Sequence, residues 1–193
     1  MSSSQKNADP NIWGPPMWDL LFTFAYKLPD DVKEKVFTDL FRQLELVLPC
    51  QHCRRSYIMY RKQVPKKDEP AEWLWMIHDM VNQNLGKICI EYGKLESRHA
   101  VFTCLTHPFT VIDLFCIMSN IIKHKHLFQF IQTVLQGARA CPGLTELSDA
   151  FDDQLCETNL YASLWKAHSH LRNTFKVPAE DYDRFWLKYN PEP

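Results

Sequence analysis

The chain has 193 residues, 46% of them hydrophobic and 23% charged, proportions that fit one folded domain, or one domain with an extension, and exclude wholesale disorder. Its 22 Lys and Arg against 23 Asp and Glu leave a formal net charge of −1, so no broad basic field exists to drive binding to nucleic acid or to an anionic membrane. The five glycines form neither G-x-G-x-x-G nor a Walker A loop, which excludes the glycine-loop ways of holding a nucleotide.

Residues 1–10 read as a polar tail without the apolar stretch of a secretory signal, and no run of about 18 apolar residues follows. A cytoplasmic chain without a membrane span is therefore expected. Pro15 and Pro16 suit a first helical turn and Pro29 a stop, which predicts a helix over 15–28. Asp30 and Asp31 are read as caps of a second helix, whose apolar positions Val32, Val36, Phe37, Leu40, Phe41, Leu44 and Val47 step by three and four until Pro49. A third helix is predicted over 50–61, directly after that proline, and a charged loop over 62–70. A fourth covers 72–85, with Leu74, Ile77, Val81 and Leu85 on one face and Gly86 as its C-cap. Residues 88–95 are ambiguous, compatible with a short fifth helix. In the second half, helices are predicted over 108–123, 125–137, 144–155, 160–173 and 179–189, broken at His107-Pro108, Cys141-Pro142-Gly143 and Val177-Pro178. No alternating strand pair or Asn-Gly hairpin occurs. The reading is all-α: a helical bundle with a helical C-terminal extension, the boundary falling near 98–107.

Seven cysteines are an odd number, so they cannot all pair within one chain. Taken singly, a cysteine in a chain without a signal is most often an apolar filler, a metal ligand or a redox group. Cys50-Gln51-His52-Cys53 is the sharpest local feature. It opens a predicted helix, where unpaired backbone N–H groups and the dipole favour a thiolate, and His52, Arg54 and Arg55 add positive charge. A disulfide between the two positions would then be exchange-competent. A zinc site needs a second ligand pair, which His124/His126 and His168/His170 do not supply, so no metal is expected. A thioredoxin reading needs a β-α-β context that is missing. Cys89, Cys104 and Cys116 lie in apolar stretches and read as buried thiols; Cys141 beside Pro142-Gly143 is a loop cysteine that could bridge to Cys156 or serve as a shuttle.

Two further stretches bear on the motif. Trp13-Gly14-Pro15-Pro16-Met17-Trp18 opens the first helix. In the fourth, His78 and Asn82 lie four apart and share a face with Leu74, Trp75 and Leu85. Such a face would line a site for a flat polar heterocycle; the competing reading is a satisfied core histidine beside an exposed asparagine.

A W-G-x-x-x-W helix, then P-C-x-x-C-R at a helix start, then H-x-x-V-N-x-x-L-G-K resembles the Erv/ALR family of FAD-linked sulfhydryl oxidases over about residues 11–95. With one C-x-x-C and no added thioredoxin domain, the layout is similar to the compact versions carried by large DNA viruses. The resemblance implies a four-helix bundle with a short fifth helix, usually a homodimer, with FAD in the bundle mouth. It divides the chain into a tail (1–10), an oxidase domain (11–97) and a helical extension (98–193). It implies that Cys50 exchanges with thiol-containing protein substrates while Cys53, next to the flavin, passes the electrons on, O2 being the final acceptor and H2O2 the product. The implied FAD contacts are Trp18, His78, Asn82 and Lys87, with Trp13, Gly14, Phe22, Trp75 and Val81 behind them, Lys87 suiting a phosphate or a flavin anion as a point charge.

The chain also departs from the family pattern. Phe22 stands where the first helix generally has His, and Asp79 where the fourth has Asn. Trp75 and Tyr92 occupy positions at which many cellular members carry a cysteine pair, and no C-terminal shuttle pair is present. The runner-up reading is accordingly a helical interaction protein that keeps a degenerate oxidase bundle.

Overall fold

The structure, a computed structural model, describes residues 8–65, 67–89, 91–94, 107–151 and 154–178. Helix α1 runs over Pro10–Lys27, α2 over Asp30–Val47, α3 over Gln51–Gln63 and α4 over Pro70–Asn84. The second half contributes α5 (Pro108–Ser119), α6 (His124–Ala140), α7 (Thr145–Ala150) and α8 (Leu160–Thr174), with a 3-10 turn over Glu157–Asn159. Among the described residues there is no strand, so the all-α expectation holds. The helix expected over 179–189, the 98–107 boundary and Cys104 lie outside the described residues.

Local chemistry explains where the ends fall. α1 begins five residues before the expected start, because the Asp9 carboxylate accepts the Asn11 N–H at 2.9 Å and caps the helix there. Pro15 and Pro16 thus sit inside the helix, and their missing N–H groups leave the carbonyls of Asn11 and Ile12 without intrahelical donors. That turn is held instead by burial of Trp13 and Met17 and by the Ala8 N–H donating to the Pro49 carbonyl at 2.9 Å. Asp30 and Asp31 are first-turn residues of α2, not caps; Pro29 is the N-cap, and the two carboxylates act on the helix dipole. Gly86 has φ +65, the left-handed conformation expected just beyond a helix end. α5 and α7 are shorter than expected, ending at Ser119 and Ala150.

In the first half α1 packs on α4, α2 on α3, and α3 on α4. The second half has its own set of contacts, α5 on α8 and α6 on α7, and α7 on α8. The halves meet broadly, α2 along α6 and α1 along α5, so buried side chains of both join one hydrophobic cluster. Two contacts show how closely. The Gln43 side chain donates to Thr133 Oγ1 at 2.9 Å, and Gly137 lies so near the Phe24 ring that a Cβ there would come within 2.7 Å of it. The C-terminal half therefore covers the faces of α1 and α2 turned away from the α1–α4 mouth. No helix among the described residues is long and apolar enough to cross a membrane.

Candidate functional site

A cavity of about 510 Å³ opens between α1, α2, α3 and α4. The redox motif forms one wall. Pro49 ends the preceding turn, Cys50 takes the N-cap position of α3, and its Sγ accepts the Cys53 N–H at 3.2 Å. Cys50 and Cys53 are joined by a disulfide with Cα atoms 5.2 Å apart, and both line the cavity. The turn is braced from both sides: the Cys50 N–H donates to the Leu48 carbonyl at 2.8 Å, and the Arg54 guanidinium donates to the same carbonyl. Burial lowers the Arg54 pKa from its ordinary value. The exposures run against the expected order of an outer Cys50 and an inner Cys53, since Cys50 is 8% exposed and Cys53 is half-buried.

The opposite walls are aromatic. On α1 the Trp18 ring lies 4.7 Å from that of His78, and Phe22 meets His78 edge-on at 5.9 Å. Phe22 is fully inside, packed as a ring against the histidine. Asn82 turns to His78, its Nδ2 3.4 Å from Nε2, so it is half-buried and engaged rather than exposed. Burial pushes the His78 pKa below its ordinary value; Asp79 pulls it upward, and Lys87 presses it lower. A neutral imidazole at this wall can accept or donate one hydrogen bond. Lys87 stands exposed at the rim, its backbone tied to the Asn82 carbonyl at 2.9 Å.

Trp13, Gly14, Trp18, Phe22, His78, Val81, Asn82, Lys87, Cys50 and Cys53 all line this one cavity. Trp75 is the exception. It stands three residues before His78 but does not line the cavity, and packs instead on Tyr92 at 5.8 Å. The ring that enters the cavity from this helix is Trp73, buried at 6% and 4.2 Å from Phe41. Tyr57 and Tyr60 on α3 also line it, and the Tyr57 hydroxyl donates to the Phe41 carbonyl at 2.9 Å. Burial raises the Tyr57 pKa, so it stays a neutral donor. A signal for these two existed: Cys53, Tyr57 and Tyr60 step by four and three along one helix face.

The remaining thiols differ from expectation. Cys89 is half-buried rather than buried, its Sγ 3.8 Å from the Asp79 carbonyl, because the chain leaves α4 along the surface there. Cys116 is buried as expected. Cys141 and Cys156 are thiols and not a bridge: the first is buried in the core beneath α6, the second exposed and 3.2 Å from Thr158 Oγ1.

Residues 15–100 match the model of the Erv1 / Alr family. Two similar proteins are named FAD-linked sulfhydryl oxidase ERV1. The one from Arabidopsis thaliana is 24% identical over 98 residues, covering 47% of this chain and 51% of that protein. The one from Oryza sativa subsp. japonica is 26% identical over 98 residues, covering 47% and 50%. The chain thus spans about half the length of these relatives. No solved structure matches it significantly.

Proposed function

With residues 15–100 a domain of the Erv1/Alr family, we propose that the chain is an FAD-dependent thiol oxidase that forms disulfides in protein substrates, of the compact single-pair type that large DNA viruses carry. The observation that carries this reading is the Cys50–Cys53 disulfide in the wall of an aromatic cavity of about 510 Å³. Residues 11–97 would be the oxidase unit and 98–193 the helical extension covering it.

The residues fit a flavin. The walls are flat rings with few polar groups, the pattern of a site for a planar heterocycle. Gly14 leaves room at the wall, since a Cβ there would meet no atom within 4 Å. Trp18, His78, Asn82 and the unforeseen Trp73 would hold the ring system, Trp13, Phe22 and Val81 would close around it, and Lys87 would offer a point charge to phosphate. When bound, FAD supplies the two-electron acceptor that reoxidises the dithiol and hands the pair to O2, giving H2O2.

The chain's own task is thiol–disulfide exchange. A substrate thiolate attacks Cys50 Sγ, the S–S bond breaks, and Cys53 leaves as a thiolate. A second substrate thiolate then attacks the substrate sulfur of the mixed disulfide, releasing the oxidised substrate and the Cys50 thiolate. The N-terminus of α3 stabilises both anions. With Cys50 only 8% exposed, entry runs past His52, which is exposed and at the rim of the cavity. A homodimer belongs to the same reading; since α5 and α6 fill the outer faces of α1 and α2, a second copy would dock elsewhere.

Purified protein should be yellow and should consume oxygen with dithiothreitol, while Cys53→Ser should keep the flavin and lose turnover. Colourless protein that takes up no FAD overturns the reading, and normal oxygen consumption by Cys53→Ser overturns the role given to that sulfur.

A further inference from the structure

Helix α3 carries no acidic residue, yet it holds His52, Arg54, Arg55, Arg61 and Lys62. Two of its cations are committed: Arg54 to the Leu48 carbonyl, and Arg61 to Glu45 at 2.6 Å. Arg55 and Lys62 are exposed, and among the described residues neither pairs with a carboxylate. Between them Met59 is 51% exposed. His52, Arg55, Met59 and Lys62 are spaced by three, four and three, so they share one face of the helix. That face starts at the rim of the cavity, where His52 stands beside the disulfide, and extends about 15 Å along the axis. In a chain of net charge −1 it is a local basic stripe.

We propose that this face of α3 docks the thiol substrate, and that the substrate's segment flanking its cysteines is acidic with an apolar residue among the carboxylates. This rests on the thiol-oxidase reading and adds the class of protein it acts on. A polypeptide joined to Cys50 through a mixed disulfide must leave past the rim, and α3 offers the surface adjoining it. Arg55 and Lys62 complement carboxylates on either side of Met59, whose flexible thioether accepts apolar groups of varied shape. Exposed charges of this kind act mainly by steering encounter and choosing among partners.

The test uses the full chain with FAD and two synthetic peptides that share a Cys-x-x-Cys pair and one apolar residue, their flanking residues being Glu in one and Lys in the other. Each kcat/KM for oxygen consumption is divided by that for dithiothreitol, a neutral dithiol. The acidic peptide should be preferred by about fivefold at low salt, the preference should collapse at about 0.5 M salt, and Arg55→Glu combined with Lys62→Glu should reverse it. Equal values for the two peptides, or a preference that survives both substitutions, overturn the docking surface. If the charge-reversed variant instead changes from a dimer's mass to a monomer's, the stripe is a self-association face and the proposal also falls. Absence of dithiothreitol turnover would overturn the oxidase reading itself.

Discussion

Trp75 and Tyr92 pack their rings 5.8 Å apart and so clasp the chain leaving α4 back onto that helix. The resemblance to the Erv/ALR family places a cysteine pair of many cellular members at these two positions, and here a ring pair ties the two points. The Cys89 thiol, 3.8 Å from the Asp79 carbonyl, adds a second tie, and Lys87 lies between Gly86 and these anchors at the rim of the cavity. Trp75→Ala and Tyr92→Ala should each lower the unfolding free energy, and together they should cost less than the sum, with a coupling of about 0.5–1.5 kcal/mol. Denaturant titrations of the two single variants and the double variant measure it. Strict additivity would mean that the two rings do not act as a clasp.

A contrast between two helical glycines tests the packing of the halves. Gly137 faces the Phe24 ring, which has no exposed surface, so the Cβ of Gly137→Ala would press on a group with nowhere to move. Overpacking of this kind costs about 1–3 kcal/mol and should outweigh the gain of about 1 kcal/mol from better helix propensity. At Gly14 a Cβ meets no atom within 4 Å beyond the chain neighbours, but the Pro15 ring disfavours a helical residue with a Cβ before it, which offsets the gain in propensity and should leave Gly14→Ala close to neutral. A thermal midpoint for Gly137→Ala at or above that of Gly14→Ala would contradict this account.

How much of this was legible in the sequence depends on the range of the interaction. Pro29, Pro49 and Gly86 punctuate the chain locally, so the helix order of the first half and the place of Cys50 at a helix start could be read directly, its N-cap role one residue before Gln51 being seen only in the structure. The start of α1 could not, because the prolines that mimic a first turn lie inside a helix capped by Asp9. Trp73 and Trp75 both neighbour His78 in sequence, and only the packing of Phe41 against Trp73 decides which ring turns inward. The meeting of α2 with α6 depends on residues such as Gln43 and Thr133, distant in sequence and without a local signal.

The inward ring supplies the next prediction. Trp73 is buried against Phe41 and borders the cavity, so Trp73→Ala would confuse loss of fold with loss of ligand. Trp73→Phe keeps an aromatic ring with a smaller face. It should keep the helical circular-dichroism spectrum while weakening FAD binding about threefold to tenfold, the value of one good aromatic contact. Flavin fluorescence titration reads the affinity; an unchanged value removes Trp73 from the site.

His78 ties stability to pH, and the sign follows from its surroundings. Burial is the largest influence and lowers its pKa; Lys87 acts in the same direction and Asp79 against it. The unfolded chain therefore takes up a proton at a higher pH than the folded chain does. Stability contributed by the neutral imidazole is fully present above the ordinary histidine pKa, about 6.5. It is lost progressively as the pH falls from there through the lowered folded value, because the unfolded state holds more protons across that window. His78→Gln keeps a polar side chain of similar reach and cannot titrate. The difference in unfolding free energy between the native chain and this variant should thus be constant above pH of about 7 and should shift against the native chain as the pH drops toward about 5. The other histidines are common to both proteins and cancel in the difference. Urea titrations at a series of pH values make the measurement, and a difference that does not vary with pH would show that His78 is not held neutral by its place between Trp18, Phe22 and Asn82.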